Sequence, residues 1–410
     1  CWLKNMDNKI SDKRAIHLLI SNTLVNSARI VFYIFLNIFI WKNTLDVQII
    51  ALFNIVYLTI HFISYPIFAP IVKLWYKKII NYISIYWLAL VYLSVVILWE
   101  NSINYIYYIA WTFGFFNWMY WINYHTQQFE VTNFQNRWNY TWMKKSLHTL
   151  SHIITPSIIG YIIWTNTFWY WFESAFAISI IMLLIAAYYW AIKLKKRKVT
   201  QFQFKKLFRK AHKDKDIFRS LYTYLFTWFA FWNTVLEVVI WIVIFTYVKN
   251  EADLGFILSL LSIISIILMY LFWKFVSYSK YKYAIIIIWI LYSFILIWFI
   301  SFESVYLIIL FSALIKTFAT FFSIPQKVIS DNVLHKIKDC DDYRAEYVLL
   351  REFYLYTGWM ISFIMLYFID SIEANKLAYI FVVSIIFTLI AAFSLSKIDL
   401  TKIENTNPSS

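Results

Sequence analysis

Several polar side chains stand at helical spacing inside otherwise apolar stretches, and through these the chain could do chemistry. Asn22, Asn26, Arg29, Tyr33 and Asn37 follow at steps of 4, 3, 4 and 4, one face of an α-helix. Ser312, Lys316, Thr320 and Ser323 form a second stripe. Asn233 and Glu237 are one turn apart, and Asn117, Tyr120 and Tyr124 share a face. Such groups can bind and orient a small polar solute. Arg29 and Glu237 each fall about a dozen residues from the end of their segment, roughly 18–20 Å deep at 1.5 Å per residue. A charge at that depth of a bilayer costs at least ~3 kcal/mol unpaired. Two readings stand: an ion pair that fixes two halves of the chain, or a coupling carboxylate held by a cation.

Lys316 has no acidic partner at its depth, so it either snorkels toward the surface or meets an anion. Two cations against one carboxylate leave about +1 near the midplane, which favours an anionic solute. If Glu237 takes up a proton, proton and anion travel together. His148 and His152 are one turn apart, but no carboxylate or third histidine accompanies them in the segment. Packing or a lipid-interface role is expected for them, and His61 is ambiguous in the same way. Glu346, Arg351 and Glu352, near Asp341, Asp342 and Arg344, suit a salt-bridge network that closes an inner gate. Lys77, Lys78 and Arg137 join them as gating candidates. The alternative is a solvated helix start, where glutamate is favourable in any case. No phosphate-binding glycine loop is present, and neither a cofactor nor a metal is expected.

The elements that must position these residues follow from composition. Of 410 residues, 62% are hydrophobic and 14% charged, well below the charge of a soluble domain. Apolar stretches of membrane-crossing length recur throughout. Twelve spans are expected, at roughly 16–41, 45–72, 79–98, 102–124, 142–165, 168–192, 218–248, 253–273, 283–301, 304–325, 346–369 and 375–396. Lys and Arg concentrate at the N-terminus and in alternate loops, for example Lys73, Lys77 and Lys78, Arg137, Lys274 to Lys282, and Lys327 to Arg344. Both termini are therefore expected in the cytoplasm of a cell-membrane protein. The formal charge of +15 fits affinity for anionic lipid headgroups and calls for no nucleic acid. A monomer is expected. Cys1 and Cys340 are expected as free thiols, and Cys1 in place of an initiator Met suggests a truncated reading frame.

The basic middle divides the chain into an N-terminal six-helix half (1–192), a linker (193–217), a C-terminal half (218–396) and a tail (397–410). Within the linker, Phe204, Leu207, Phe208 and Ala211 recur at helical spacing, which predicts an amphipathic helix on the inner membrane surface. The halves look like repeats: Trp41-Lys42-Asn43 ends span 1 and Val248-Lys249-Asn250 ends span 7. Spans 3, 6, 9 and 12 are nearly free of charge, whereas spans 1, 4, 7 and 10 carry the stripes. That period of three implies a shared central cavity.

With these features the chain resembles the major facilitator superfamily, and within it efflux-like permeases of low-GC Gram-positive bacteria. The residues carrying the resemblance are Asn37 to Lys42, Ala51-Leu52-Phe53-Asn54, Thr155 to Gly160, and Glu346-Tyr347-Val348-Leu349-Leu350-Arg351-Glu352 with Gly358 beyond. The resemblance implies an all-α membrane fold of two six-helix halves, a cavity among helices 1, 4, 7 and 10, and secondary active transport of a small solute. The chain departs from the family pattern after span 2, where Lys73 replaces an Asp, Tyr76 replaces a Gly, and only the basic pair Lys77-Lys78 remains. It also keeps only Gly160 of the helix 5 glycine motif, which argues against proton–drug antiport. The rival reading is a membrane-embedded lipid-processing enzyme or scaffold. The loops are short for one, and the acidic residues around Cys340 lie on the cytoplasmic side. The topology is checked by cysteine labelling in a variant with Cys1 and Cys340 replaced. Cysteines at Glu100, Glu251 and Glu303 should react with an impermeant maleimide from outside, and one at Lys198 only from inside; outside labelling at Lys198 contradicts the orientation.

Overall fold

A computed structural model describes residues 13–74, 77–132, 136–164, 171–189, 201–230, 235–275, 281–300, 305–337, 340–369 and 374–398. Among them there is no strand. The helices are α1 (Lys13–Thr44), α2 (Val47–Leu74), α3 (Lys77–Leu98), α4 (Ile106–Val131), α5 (Arg137–Trp164), α6 (Trp171–Tyr189) and α7 (Phe204–Lys213). They continue with α8 (Lys215–Ala230), α9 (Val235–Val248), α10 (Glu251–Phe275), α11 (Tyr281–Ile300), α12 (Val305–Val333), α13 (Arg344–Tyr367) and α14 (Ala374–Ser396).

Each predicted segment coincides with one helix except the stretch 218–248, which holds most of α8 and all of α9. Residues 231–234 between those two lie outside the described residues. Three helices overrun the ends set by hydropathy: α4 runs to Val131, α5 begins at Arg137 and α12 continues to Val333. The expected segments stop at Tyr124, start at Trp142 and stop at Pro325. Helices α4 and α12 continue because Gln127 donates to Asn123 and Lys327 pairs with Asp331, so neither group is left to lipid. Among the described residues, four helical segments are by themselves long and apolar enough to cross a membrane: Lys13–Thr44, Val47–Lys73, Ile79–Leu98 and Glu251–Leu268.

The apolar surface points outward as well as inward. Ile97 on α3, Tyr188 on α6, Phe294 on α11 and Phe393 on α14 are exposed large side chains, as helices facing lipid require. Inside, α1 packs on α5 and α6, α2 on α4, and α3 on α4 and α6. The same pairings recur later in the chain: α8 packs on α13 and α14, α10 on α12, and α11 on α12 and α14. The two sets meet along two long seams, α2 with α13 and α5 with α10. The short helix α7 buries Leu207 and Ala211 against the bundle and leaves Phe208 exposed beside Lys205, Lys206 and Arg209. Its apolar face is thus shared between the protein and the surroundings.

The chain has only four glycines, and each stands where another helix comes closest. At the α5–α10 seam a β-carbon on Gly160 would lie 2.6 Å from the Glu251 carbonyl oxygen, and one on Gly255 would collide with the carbonyl of Pro156. Small residues let membrane helices approach to backbone contact, where dispersion replaces the missing hydrophobic drive. Gly255→Ala should therefore destabilise by about 1–3 kcal/mol. Thermal unfolding in detergent checks this; an unchanged midpoint contradicts the close seam.

Candidate functional site

A cavity of about 340 Å³ lies between the two sets of helices. Arg29 is near the middle of α1, and Asn26, Arg29 and Tyr33 all line it. Asn22 and Asn37 share the predicted face but serve the scaffold: Asn22 accepts a hydrogen bond from the Tyr120 hydroxyl (3.1 Å), and Asn37 donates to the Tyr33 carbonyl (2.6 Å). On α4, Asn117 donates to the Tyr57 hydroxyl (2.6 Å), and the Tyr124 hydroxyl is 3.5 Å from that of Tyr140. The α4 side chains on the cavity wall are Trp121, His125 and Gln128. Asn233 lies outside the described residues, as do the side chains of Glu237, Ser312, Lys316, Thr320, Lys77 and Lys78.

Helix α5 contributes Lys144, Lys145, His148 and His152 to the cavity. Their crowding in a predicted span has its physical reason here, because they face a polar space rather than lipid. The two histidine rings, expected from sequence to pack or to meet lipid, are 4.7 Å apart on the wall.

The floor of the cavity is a compact set of charges. Arg351 contacts Asp331 through Nη1 (3.0 Å) and Glu352 through Nη2 (2.5 Å). Lys327 contacts the other Asp331 oxygen at 2.9 Å. His125 Nε2 is 3.7 Å from Glu352. Two cations and two carboxylates thus neutralise one another, which satisfies the requirement for charge buried this deeply. From sequence Lys327 reads as a loop charge and Asp331 has no role, yet a signal is there. The stripe Ser312, Lys316, Thr320, Ser323 continues to Lys327 and Asp331 at the same steps.

Beyond the floor lies the end of the bundle where α2 meets α3 and α4 meets α5, here called the basic end. Polar ties cross between the two sets of helices there. Lys73 donates to Glu346 (2.5 Å) and to the Asp342 carbonyl (2.6 Å). Arg137, almost wholly buried, donates to Asn332 (2.8 Å) and to the Asp331 carbonyl (3.1 Å). Arg344 donates to the Phe129 carbonyl (2.9 Å). Glu346 also accepts from the Gln203 backbone (2.9 Å), joining the segment before α7 to the same knot. At the opposite end Lys42 pairs with Glu251 at 2.6 Å, with the lysine side chain 41% exposed. An exposed pair is worth well under the buried ones.

No family model matches the sequence, and no curated protein matches it. Solved structures do. Two crystal structures of a bacterial homologue of the iron transporter ferroportin, both outward-facing, superpose with TM-scores of 0.68 and 0.67. The first, soaked with iron, is 11% identical over 93% of this chain and 98% of that one; the second is 12% identical over 94% and 98%. The fold is of the major facilitator type. A bacterial ferroportin homologue in the inward-facing state gives a TM-score of 0.61 at 10% identity, over 93% and 98% of the chains.

Removing one member of the floor should leave buried charge uncompensated. Arg351→Met is expected to destabilise the protein by about 3–5 kcal/mol. Arg351→Met combined with Glu352→Met should cost less than the two single changes together, because the pair is lost as a unit. Unfolding in detergent measures the cycle, and additive effects contradict it.

Proposed function

We propose that the chain is an alternating-access transporter of the cell membrane that moves a small solute. It has twelve spans in two six-helix halves, residues 1–192 and 218–396, with the linker 193–217 between them and the tail 397–410 after them. Spans 1–6 are α1–α6, span 7 is α8 with α9, and spans 8–12 are α10–α14. The observation that carries the proposal is a central cavity between two similarly packed sets of helices, tied across one end by Lys73–Glu346 and Arg137–Asn332. Major facilitator transporters work in this way, with the halves rocking about a fixed central site.

The basic end is the cytoplasmic one, because Lys and Arg crowd its turns. This structure is then the outward-facing form. Its exposed linker cations Lys205, Lys206, Arg209 and Lys213 sit where anionic headgroups of the inner leaflet would meet them. The finer likeness to efflux-like permeases rests on the short sequence segments quoted above. For inward opening, Lys73, Arg137 and Arg344 must let go of the other half together. The α2–α13 and α5–α10 seams serve as the axes about which the halves turn.

The gate test needs no solute. In a variant lacking Cys1 and Cys340, a cysteine at Ser323 on the cavity wall should react slowly with an impermeant maleimide applied from the cytoplasmic side. Lys73→Gln with Glu346→Gln should speed that reaction about 5–30-fold, the change expected from one or two kcal/mol of lost closure. Equal rates in both backgrounds would sink the assignment of these ties as the gate.

A further inference from the structure

We propose that the transported solute is a small organic oxyanion, a carboxylate or phosphate, held between Arg29 and Lys144 across the face of Trp121; this rests on the transporter reading above. Among the described residues, five cations line the cavity, Arg29, Lys144, Lys145, Lys327 and Arg351, against one carboxylate, Glu352. Lys327 and Arg351 are already matched by Asp331 and Glu352. Arg29 and Lys144 have no carboxylate within ion-pairing distance among the described residues. What they have instead is aromatic. Arg29 Cζ lies 4.8 Å from the centre of the Trp121 ring, and Lys144 Nζ lies 5.7 Å from the same ring and 4.4 Å from that of Tyr124.

The helices α1, α4 and α5 therefore bring two positive groups to one indole. An aromatic face offsets part of the cost of each charge, on the order of 1–2 kcal/mol when desolvated. It does nothing for their mutual repulsion. The Arg29 Nε is buried and makes no hydrogen bond among the described residues. A buried donor left without an acceptor is rare, and a ligand oxygen is one of the few things that explains it. Guanidinium geometry suits a carboxylate or phosphate, which accepts two parallel hydrogen bonds, and an ammonium nearby adds a point charge. Asn26 stands on the same wall, within the lining that the rest of the solute would meet. The volume of about 340 Å³ is at the small end of ligand cavities, roughly 300–1,000 Å³, and admits a metabolite-sized molecule. Ile30, Leu258 and Leu261 give it an apolar side.

Iron is the cargo named for the structural neighbours, and this cavity is unsuited to a metal cation. The cation would meet Arg29, Lys144 and Lys145 at close quarters. Among the described residues, no three of His, Cys, Asp or Glu are grouped to hold a metal ion. The chain thus shares the scaffold of those proteins and presents the opposite charge to its solute.

The test uses the full chain in lipid nanodiscs and thermal unfolding at matched ionic strength. The probes are orthophosphate, benzoate, succinate and citrate, against glucose, choline and cobalt(II). At least one oxyanion should raise the unfolding midpoint in a saturable way. Arg29→Gln and Lys144→Gln should each weaken that response about tenfold or more, as loss of a charge-assisted contact does. Arg29→Lys keeps the charge and should retain part of the response, which separates loss of binding from loss of fold. The proposal is overturned if no oxyanion acts, if cobalt(II), choline or glucose acts instead, or if the oxyanion response survives both glutamine variants. The gate test is independent of any solute, so the transporter reading can stand where this one fails.

Discussion

Charge that enters a bilayer must be compensated inside the protein, and the cluster at the cavity floor is where this chain meets that constraint. Arg351 bridges Asp331 and Glu352, and Lys327 closes on Asp331. Desolvation of any one of these groups alone would cost several kcal/mol. Together they are neutral, and that is what allows α12 and α13 to carry charge past the point where a lipid-facing helix would end. Asp331 and Asn332 then lie in reach of Arg137 from the other half. The floor and the proposed gate thus form one network, in which Asp331 belongs to both.

The seams between halves show how such a shift can stay rigid-body in character. Gly160 and Gly255 bring α5 and α10 into backbone contact, and Gly358 brings α13 against the Leu225 carbonyl on α8. Close contact with few bulky side chains between lets helices slide as units without repacking a deep core. Gate ties that are polar and clustered suit the same purpose. Several hydrogen-bonded contacts released together give two discrete states rather than a continuum.

The all-helical architecture was legible in the sequence because hydropathy reports on a physical constraint of the bilayer. The α1 stripe placed Asn26, Arg29 and Tyr33 together, and the structure sets all three on the cavity. The rest was hidden for two reasons. Side chains one step around a helix look alike in a spacing pattern, so Asn117, Tyr120 and Tyr124 stood out on α4 while Trp121 and His125 face the cavity. Hydropathy also trims a helix at its first charges, so Lys327 and Asp331 fall past the end of the tenth expected span. Arg351, which pairs with Asp331, stands on another helix, outside any local window.

In the proposed transport cycle the ties at the basic end and the packing at the opposite end respond in opposite senses. Pulsed electron spin resonance measures this directly, with one pair of nitroxides at Glu130 and His335 and another at Leu45 and Tyr247. When Lys73→Gln and Glu346→Gln release the gate, the basic-end distance should lengthen and the opposite-end distance should shorten. An opposite-end distance that stays fixed, or lengthens in step, would contradict alternating access.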